Sequence, residues 1–274
     1  ACYVSQGGYY RRMGDFNRTL DNLLRAADLL QNFDHKMYVR ELVVVGDVYA
    51  DWGNRAKAVY YLHLAQEQPA FRYMAGMERT FTFLALSRLY AEEHDLQWAG
   101  QMADSALNTY QADPYERYYG QACGLVQKAA VLLQMRQLEA AFPLLVRAQQ
   151  LDDSLNLPMS GKPGELEIDA TWARYYLARH DDAHAETHWL RAYAKATTAK
   201  VERLRPLYLK ELVAFYDARG QVSDAQRHSH IYIALLDSFN AAQGTFHVAQ
   251  YESERVEQAQ NAQINNLRQA QAVQ

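Results

Sequence analysis

The chain has 274 residues and a formal net charge of −4, with 28 basic and 32 acidic residues interspersed along its length. This mixture lacks the broad basic surface by which proteins bind nucleic acid, so we expect no nucleic-acid contact by this region. No segment approaches the roughly 20 consecutive apolar residues needed to cross a bilayer.

Residues 4–30 carry a first helix–turn–helix pattern, and residues 42–65 repeat it more clearly. In residues 42–65 the marked positions fall at offsets of 0, 3, 7, 12, 16 and 19, and they are occupied by Gly46, Tyr49, Gly53, Ala58, Leu62 and Ala65. Small residues at the first and fourth of these positions let two helices approach closely. Gly53 ends the first helix, Asn54 caps the second, and Pro69 stops it. In the earlier hairpin, Asp15 is the predicted cap.

Four further hairpins follow, in residues 80–109, 121–151, 165–196 and 206–239. Their turn positions are His94, Arg136, His180 and Gly220, which follow Gly53 at intervals of 41, 42, 44 and 40 residues. Asp95 and the Asp181-Asp182 pair read as helix caps, and Pro143 is placed in about the first turn of its helix. Residues 152–164 are predicted to form the longest loop.

The last 30 residues differ from the hairpins. Residues 245–274 are rich in Gln, Ala, Asn and Glu, lack Gly and Pro, and contain only a thin line of apolar residues, which predicts one long polar helix. Two interpretations stay open: a frayed capping tail, or a connecting helix that pairs with a second copy of the chain. The predicted domains are residues 1–244 and residues 245–274.

The order of small residue, tyrosine, glycine, alanine, apolar residue, alanine and proline in residues 42–69 resembles the tetratricopeptide repeat. The observed period near forty exceeds the usual 34, which implies longer helices or loops. The resemblance implies an all-α solenoid, a right-handed superhelix of about six helical hairpins followed by a long C-terminal helix. It also implies a noncatalytic scaffold that binds a protein or peptide on its concave face.

A second resemblance concerns the end of the chain. The last hairpin and the start of the tail resemble the membrane-proximal end of Bacteroidetes sensor proteins with tetratricopeptide repeats. The residues that carry this resemblance are 208–212, 215–216, Gly220, Ala225 and 236–238, followed by 251–254. This implies a periplasmic sensor region of a membrane-anchored signal-transduction regulator, which would reach the membrane only through segments outside this chain. The connecting-helix interpretation of residues 245–274 implies a homodimer through the C-terminal helix, whereas the capping-tail interpretation does not. The alternatives are a cytosolic peptide receptor that regulates transcription and a structural adaptor in a surface assembly.

In tetratricopeptide repeats the first helix of each hairpin lines the groove, which implies that Asp47, Arg88, Arg174 and Lys210 face it. The three basic residues form a sparse line that suits a carboxylate or an acidic peptide. The alternative is that they are solvated or paired with nearby acids. The carboxylate-binding clamp of some tetratricopeptide repeats is not matched here.

Other candidates for chemistry are few. His184 and His188 share a helix face at a spacing that can hold a metal, but an ordinary exposed pair is the preferred interpretation. Cys2 and Cys123 form neither a disulfide framework nor a zinc-ligand spacing, although Ala1-Cys2 also fits a lipoprotein cleavage remnant. We therefore predict no catalytic residues, no metal site and no cofactor.

Overall fold

The computed structural model describes residues 2–12, 15–109, 111–158, 166–201 and 204–242. These residues form twelve α-helices and one short 3-10 helix, Pro69–Tyr73, and they contain no strand. The helices are α1 Cys2–Arg12, α2 Phe16–Leu30, α3 His35–Asp51, α4 Arg55–Glu67, α5 Gly76–Glu92, α6 Leu96–Leu107, α7 Pro114–Gln134, α8 Leu138–Leu155, α9 Ile168–Ala178, α10 Asp182–Thr198, α11 Leu204–Asp217 and α12 Val222–Ala242. The predicted all-α class is confirmed.

The helices pack as six consecutive hairpins, each formed by an odd-numbered helix and the even-numbered helix that follows it. Each second helix also packs on the first helix of the next hairpin, and the first helices α3, α5, α7 and α9 contact one another in a row. The three larger core clusters overlap, because the first two share α5 and the last two share α9. Each hairpin therefore buries its apolar stripe against its neighbours, as a solenoid requires.

The turn inside each hairpin has the same backbone geometry wherever it is described. Gly53 and Gly220 adopt φ values of 85° and 68°, in the left-handed region that glycine enters without steric cost. His94, Arg136 and His180 adopt the same conformation, with φ between 60° and 63°. In every case the next N–H donates to the carbonyl four residues before the turn position, at 2.9–3.0 Å, which closes a Schellman motif. The predicted turn positions are confirmed, including the three without glycine.

The start of the second helix is capped as predicted in four hairpins. The side chains of Asp15, Asn54, Asp95 and Asp181 each accept a hydrogen bond from the backbone N–H three residues later, at 3.0–3.2 Å. Each such cap contributes about 1 kcal/mol by satisfying a helix N–H that has no partner within its own helix. The caps therefore help to decide where α2, α4, α6 and α10 begin.

Gly46 on α3 and Ser87 on α5 lie where two helices approach closely. A Cβ atom added to Gly46 would lie 2.7 Å from Leu62 Cγ and 3.3 Å from the carbonyl oxygen of Ala58. In the third hairpin the equivalent residue is Ser87, which uses the same closeness to donate a hydrogen bond to the carbonyl of Ala99 at 2.7 Å. The predicted close contact is thus present in both hairpins.

We expect Gly46→Leu to lower the free energy of unfolding by about 1–3 kcal/mol, because the new side chain overfills the contact between α3 and α4. Gly100→Leu on α6 is the matched control, since an added Cβ there meets no atom within 4 Å. Thermal unfolding followed by circular dichroism measures both variants. Equal melting temperatures for Gly46→Leu and the unmodified chain would contradict this placement of Gly46.

Several element boundaries differ from the predictions. The first helices begin earlier than expected, at His35 in α3 and Pro114 in α7, and these longer helices account for part of the long period. Helix α8 continues to Leu155 and ends at Asn156 in the left-handed conformation, so the predicted loop of 152–164 starts later. Pro143 is the sixth residue of α8 rather than part of its first turn. The predicted domain boundary at 244 and the tail helix of 245–274 lie outside the described residues.

Candidate functional site

The predicted groove residues all lie on first helices: Asp47 on α3, Arg88 on α5, Arg174 on α9 and Lys210 on α11. The side chain of Lys210 is exposed, whereas Asp47 and Arg174 are half-buried and Arg88 retains only 12% of its side-chain exposure. Both arginines approach an acid: Arg88 Nε lies 3.9 Å from Glu92 Oε1, and Arg174 Nη2 lies 4.0 Å from Glu211 Oε1. Arg88 and Arg174 are therefore paired with nearby acids, which was the alternative interpretation. That the four residues bind a partner stays a prediction.

The structure does not gather the four residues into one cluster. Arg174 of α9 approaches Glu211 of α11, which is the neighbour of Lys210 in the chain. Arg88 lies on α5, which is separated from α9 by α7 in the row of first helices. The basic line is thus concentrated at the C-terminal hairpins.

Ion pairs between successive hairpins are a feature that the sequence reasoning missed. Arg11 Nη2 lies 2.9 Å from Asp51 Oδ2, joining α1 to α3, and Arg40 Nε lies 3.0 Å from Glu78 Oε1, joining α3 to α5. The partners stand 40 and 38 positions apart, close to the repeat period. Opposite charges separated by one period are therefore the signal that could have revealed them.

A cavity of about 320 Å³ lies between α1 and α3, over α2. Its lining residues are Val4, Gly7, Gly8 and Arg11 of α1, Leu23 of α2, and Met37, Arg40, Glu41 and Val44 of α3. Glu41 is only 3% exposed, and its Oε2 atom accepts no hydrogen bond from the described residues. Burial raises the pKa of Glu41 above its usual 4.5, and the nearby Arg40 only partly offsets this.

The sequence itself contains a signal for this buried carboxylate. Glu41 stands three residues after Tyr38 and four before Val45, and both of these are buried in the first core cluster. At that spacing Glu41 shares the apolar face of α3. A charged residue on an apolar face is costly unless something satisfies it, which marks Glu41 as a residue of interest.

His184 and His188 have separate partners. His184 Nδ1 lies 2.8 Å from Asp181 Oδ2, and His188 Nδ1 lies 3.0 Å from Asp169 Oδ1. Both rings stack on Tyr176, with centroid distances of 4.9 and 5.5 Å. Within the described parts of the chain, no group of three or more His, Cys, Asp or Glu side chains is arranged to hold a metal ion. The predicted exposed pair is therefore wrong for His188, which is only 15% exposed and belongs to a structural contact between α9 and α10.

Asp169 is the centre of that contact. It is 3% exposed and also lies 2.7 Å from Lys195 Nζ and 3.6 Å from Arg191 Nη1 of α10. Burial alone would raise the pKa of Asp169, but hydrogen bonds from His188 and Lys195 outweigh it and lower the pKa below the usual 3.8. The buried carboxylate is therefore ionised, and its contacts stabilise the packing of α9 against α10.

No protein-family model matches the chain, and no curated protein sequence matches it. Solved structures are similar in fold. A tetratricopeptide repeat protein from Parabacteroides merdae is 11% identical with a TM-score of 0.51, over 91% of this chain and 95% of that chain. BtubC (BKLC) from P. vanneervenii is 17% identical with a TM-score of 0.49, over 90% and 94%.

None of the described helices is long and apolar enough to span a membrane. The repeated hairpins, their shared turn geometry and the likeness to the Parabacteroides merdae structure agree on one architecture. The chain therefore has a tetratricopeptide-repeat-like helical fold.

Proposed function

We propose that this chain is a noncatalytic scaffold that binds a protein or peptide along the face formed by its first helices. The observation that carries the proposal is the row of first helices, in which α3, α5, α7 and α9 pack side by side. Such a row offers an extended surface that no single hairpin provides, and folds of this kind are generally noncatalytic binding scaffolds.

The charges on this face support an acidic partner at the C-terminal hairpins. Arg174 and the exposed Lys210 lie on neighbouring first helices, and a guanidinium that contacts one acid at 4.0 Å keeps donors for a second. Electrostatic attraction to an acidic segment would raise the association rate and fix its position.

We expect Arg174→Ala and Lys210→Ala each to weaken binding of an acidic peptide about tenfold, the loss of one charge-assisted hydrogen bond. Stability should change little, because exposed ion pairs contribute only about 0–1 kcal/mol. Arg88 is a poorer choice for this test, since its side chain is largely buried.

The test starts from acidic peptides selected by display against the unmodified chain and measures their affinity by fluorescence anisotropy. Arg147→Ala is the matched control, because Arg147 is exposed on α8, a second helix. Equal weakening by Arg147→Ala would show a nonspecific charge effect and contradict the assignment of the first-helix face.

We further infer that the scaffold is the periplasmic sensor region of a membrane-anchored signal-transduction regulator. The support is the resemblance of residues 208–212, 215–216, 236–238 and 251–254, with Gly220 and Ala225, to the membrane-proximal part of such sensors. The full-length gene tests this inference: a signal peptide before residue 1 and an apolar helix after Gln274 are expected. A parent protein without any membrane segment or output domain would make the adaptor the better explanation.

A further inference from the structure

The geometry of the cavity between α1 and α3 points to a second binding site, which takes a free α-amino acid with an apolar side chain. This site is separate from the peptide-binding face at Arg174 and Lys210 and does not depend on it. Three features of the lining residues carry the inference: a buried carboxylate, two arginines and an apolar wall.

The described residues supply no hydrogen-bond partner for the Oε2 atom of the buried Glu41 carboxylate. Glu41 lines the cavity, and this Oε2 atom is buried. An ionised carboxylate in such a place destabilises the fold unless a donor satisfies it. A ligand ammonium group brings both a positive charge and three N–H donors, so it satisfies Glu41 better than any neutral group.

The two arginines favour a ligand that also carries a carboxylate. Arg11 and Arg40 both line the cavity, and each contacts one acid, Asp51 or Glu78. A guanidinium has five N–H donors, so each arginine keeps donors for a further acceptor. A ligand with only an ammonium group would leave these donors unused, whereas a zwitterion places its ammonium on Glu41 and its carboxylate on the arginines.

Cavity size and the remaining walls define the rest of the ligand. At about 320 Å³ the cavity lies at the lower end of the range of about 300–1,000 Å³ found for small-molecule sites. Val4, Leu23, Met37 and Val44 provide an apolar surface for a side chain. An amino acid such as leucine or methionine therefore matches the charges and the walls.

Gly8 keeps part of this space open. An added Cβ at Gly8 would meet no atom within 4 Å, although the residue lies inside α1. Glycine within a helix is less favourable than alanine, so an open position here costs helix stability while it preserves room in the cavity. A larger side chain at residue 8 should occupy the ligand's place without disturbing the packing of Gly7 on Leu23.

Isothermal titration calorimetry with L-leucine and L-methionine tests the proposal. We expect both to bind the unmodified chain, with N-acetyl-L-leucine and L-leucinamide each binding at least about tenfold more weakly, because each lacks one of the two charges. Glu41→Gln should weaken L-leucine binding by a similar factor, and Gly8→Leu should abolish it.

Gly100→Leu is the control, because it adds the same side chain on α6 in open space. Thermal unfolding of every variant verifies folding, and Glu41→Gln is expected to melt at a higher temperature because it removes a buried unsatisfied charge. The proposal would be overturned if neither amino acid bound the unmodified chain. It would also be overturned if N-acetyl-L-leucine bound as tightly as L-leucine, or if Gly8→Leu bound L-leucine as tightly as the unmodified chain. If Arg174→Ala loses peptide binding but binds L-leucine as before, the two sites are independent of each other.

Discussion

Replacing Trp189 with alanine is expected to lower the free energy of unfolding by about 3–5 kcal/mol, the range for a large aromatic side chain removed from a core. Trp189 is fully buried on α10, and its ring centroid lies 6.2 Å from that of Tyr208 on α11. It therefore fills the interface between the last two hairpins. The cavity left behind would remove dispersion contacts from both helices.

Trp189 also supports the proposed binding face. The guanidinium carbon of Arg174 lies 5.2 Å from the Trp189 ring centroid, in a cation–π arrangement. Loss of the ring should therefore also weaken acidic-peptide binding, since Arg174 loses the surface that positions it. A binding loss in Trp189→Ala under conditions where the chain remains folded would separate this effect from unfolding.

Urea unfolding followed by circular dichroism measures the Trp189 effect, and Trp98→Ala is the matched control. Trp98 is 48% exposed, so its replacement should cost about 1 kcal/mol or less. Equal losses for the two tryptophans would contradict the assignment of Trp189 to the core between hairpins.

The second large effect is expected at Asp169. Asp169→Ala should lower the free energy of unfolding at pH 7 by about 2–4 kcal/mol, because it leaves His188 without its buried partner and Lys195 with only Asp152, at 3.8 Å. The expected loss of unfolding free energy is smaller than the loss on breaking a fully buried ion pair, because the Lys195 side chain is 44% exposed and water can solvate it. Urea unfolding at pH 7 measures the change.

The contribution of Asp169 depends on pH in a defined direction. Because its folded-state pKa is lowered from 3.8, the carboxylate stabilises the fold fully at pH values above 3.8. That stabilisation is lost as the pH falls through the lower folded-state pKa. The difference in unfolding free energy between the unmodified chain and Asp169→Ala should therefore shrink in strong acid.

Asp21→Ala provides the control for Asp169. Asp21 Oδ1 lies 3.0 Å from Arg25 Nε in a partly exposed pair, which should contribute only about 0–1 kcal/mol. A loss in Asp21→Ala as large as that in Asp169→Ala would mean that burial does not strengthen the Asp169 contacts.

The sequence by itself determined the hairpins, five of their turns and the caps of four second helices. Those features rest on local chemistry: a side-chain oxygen at Asn54 caps the helix that follows it, and a small residue at Gly46 permits a close contact. Even His94, Arg136 and His180 were placed correctly, because the repeat spacing set the turn where glycine did not. Helix starts such as His35 were less predictable, since no single residue marks them.

Only the tertiary structure decided what surrounds the charged side chains. Whether Arg174 is available to a partner depends on Glu211, and whether Glu41 is satisfied depends on how α1 and α3 lie over α2. Both are relations between residues on different hairpins. A repeat pattern specifies which helix face each residue occupies, but the charges, burial and empty space around that residue arise only when neighbouring hairpins pack.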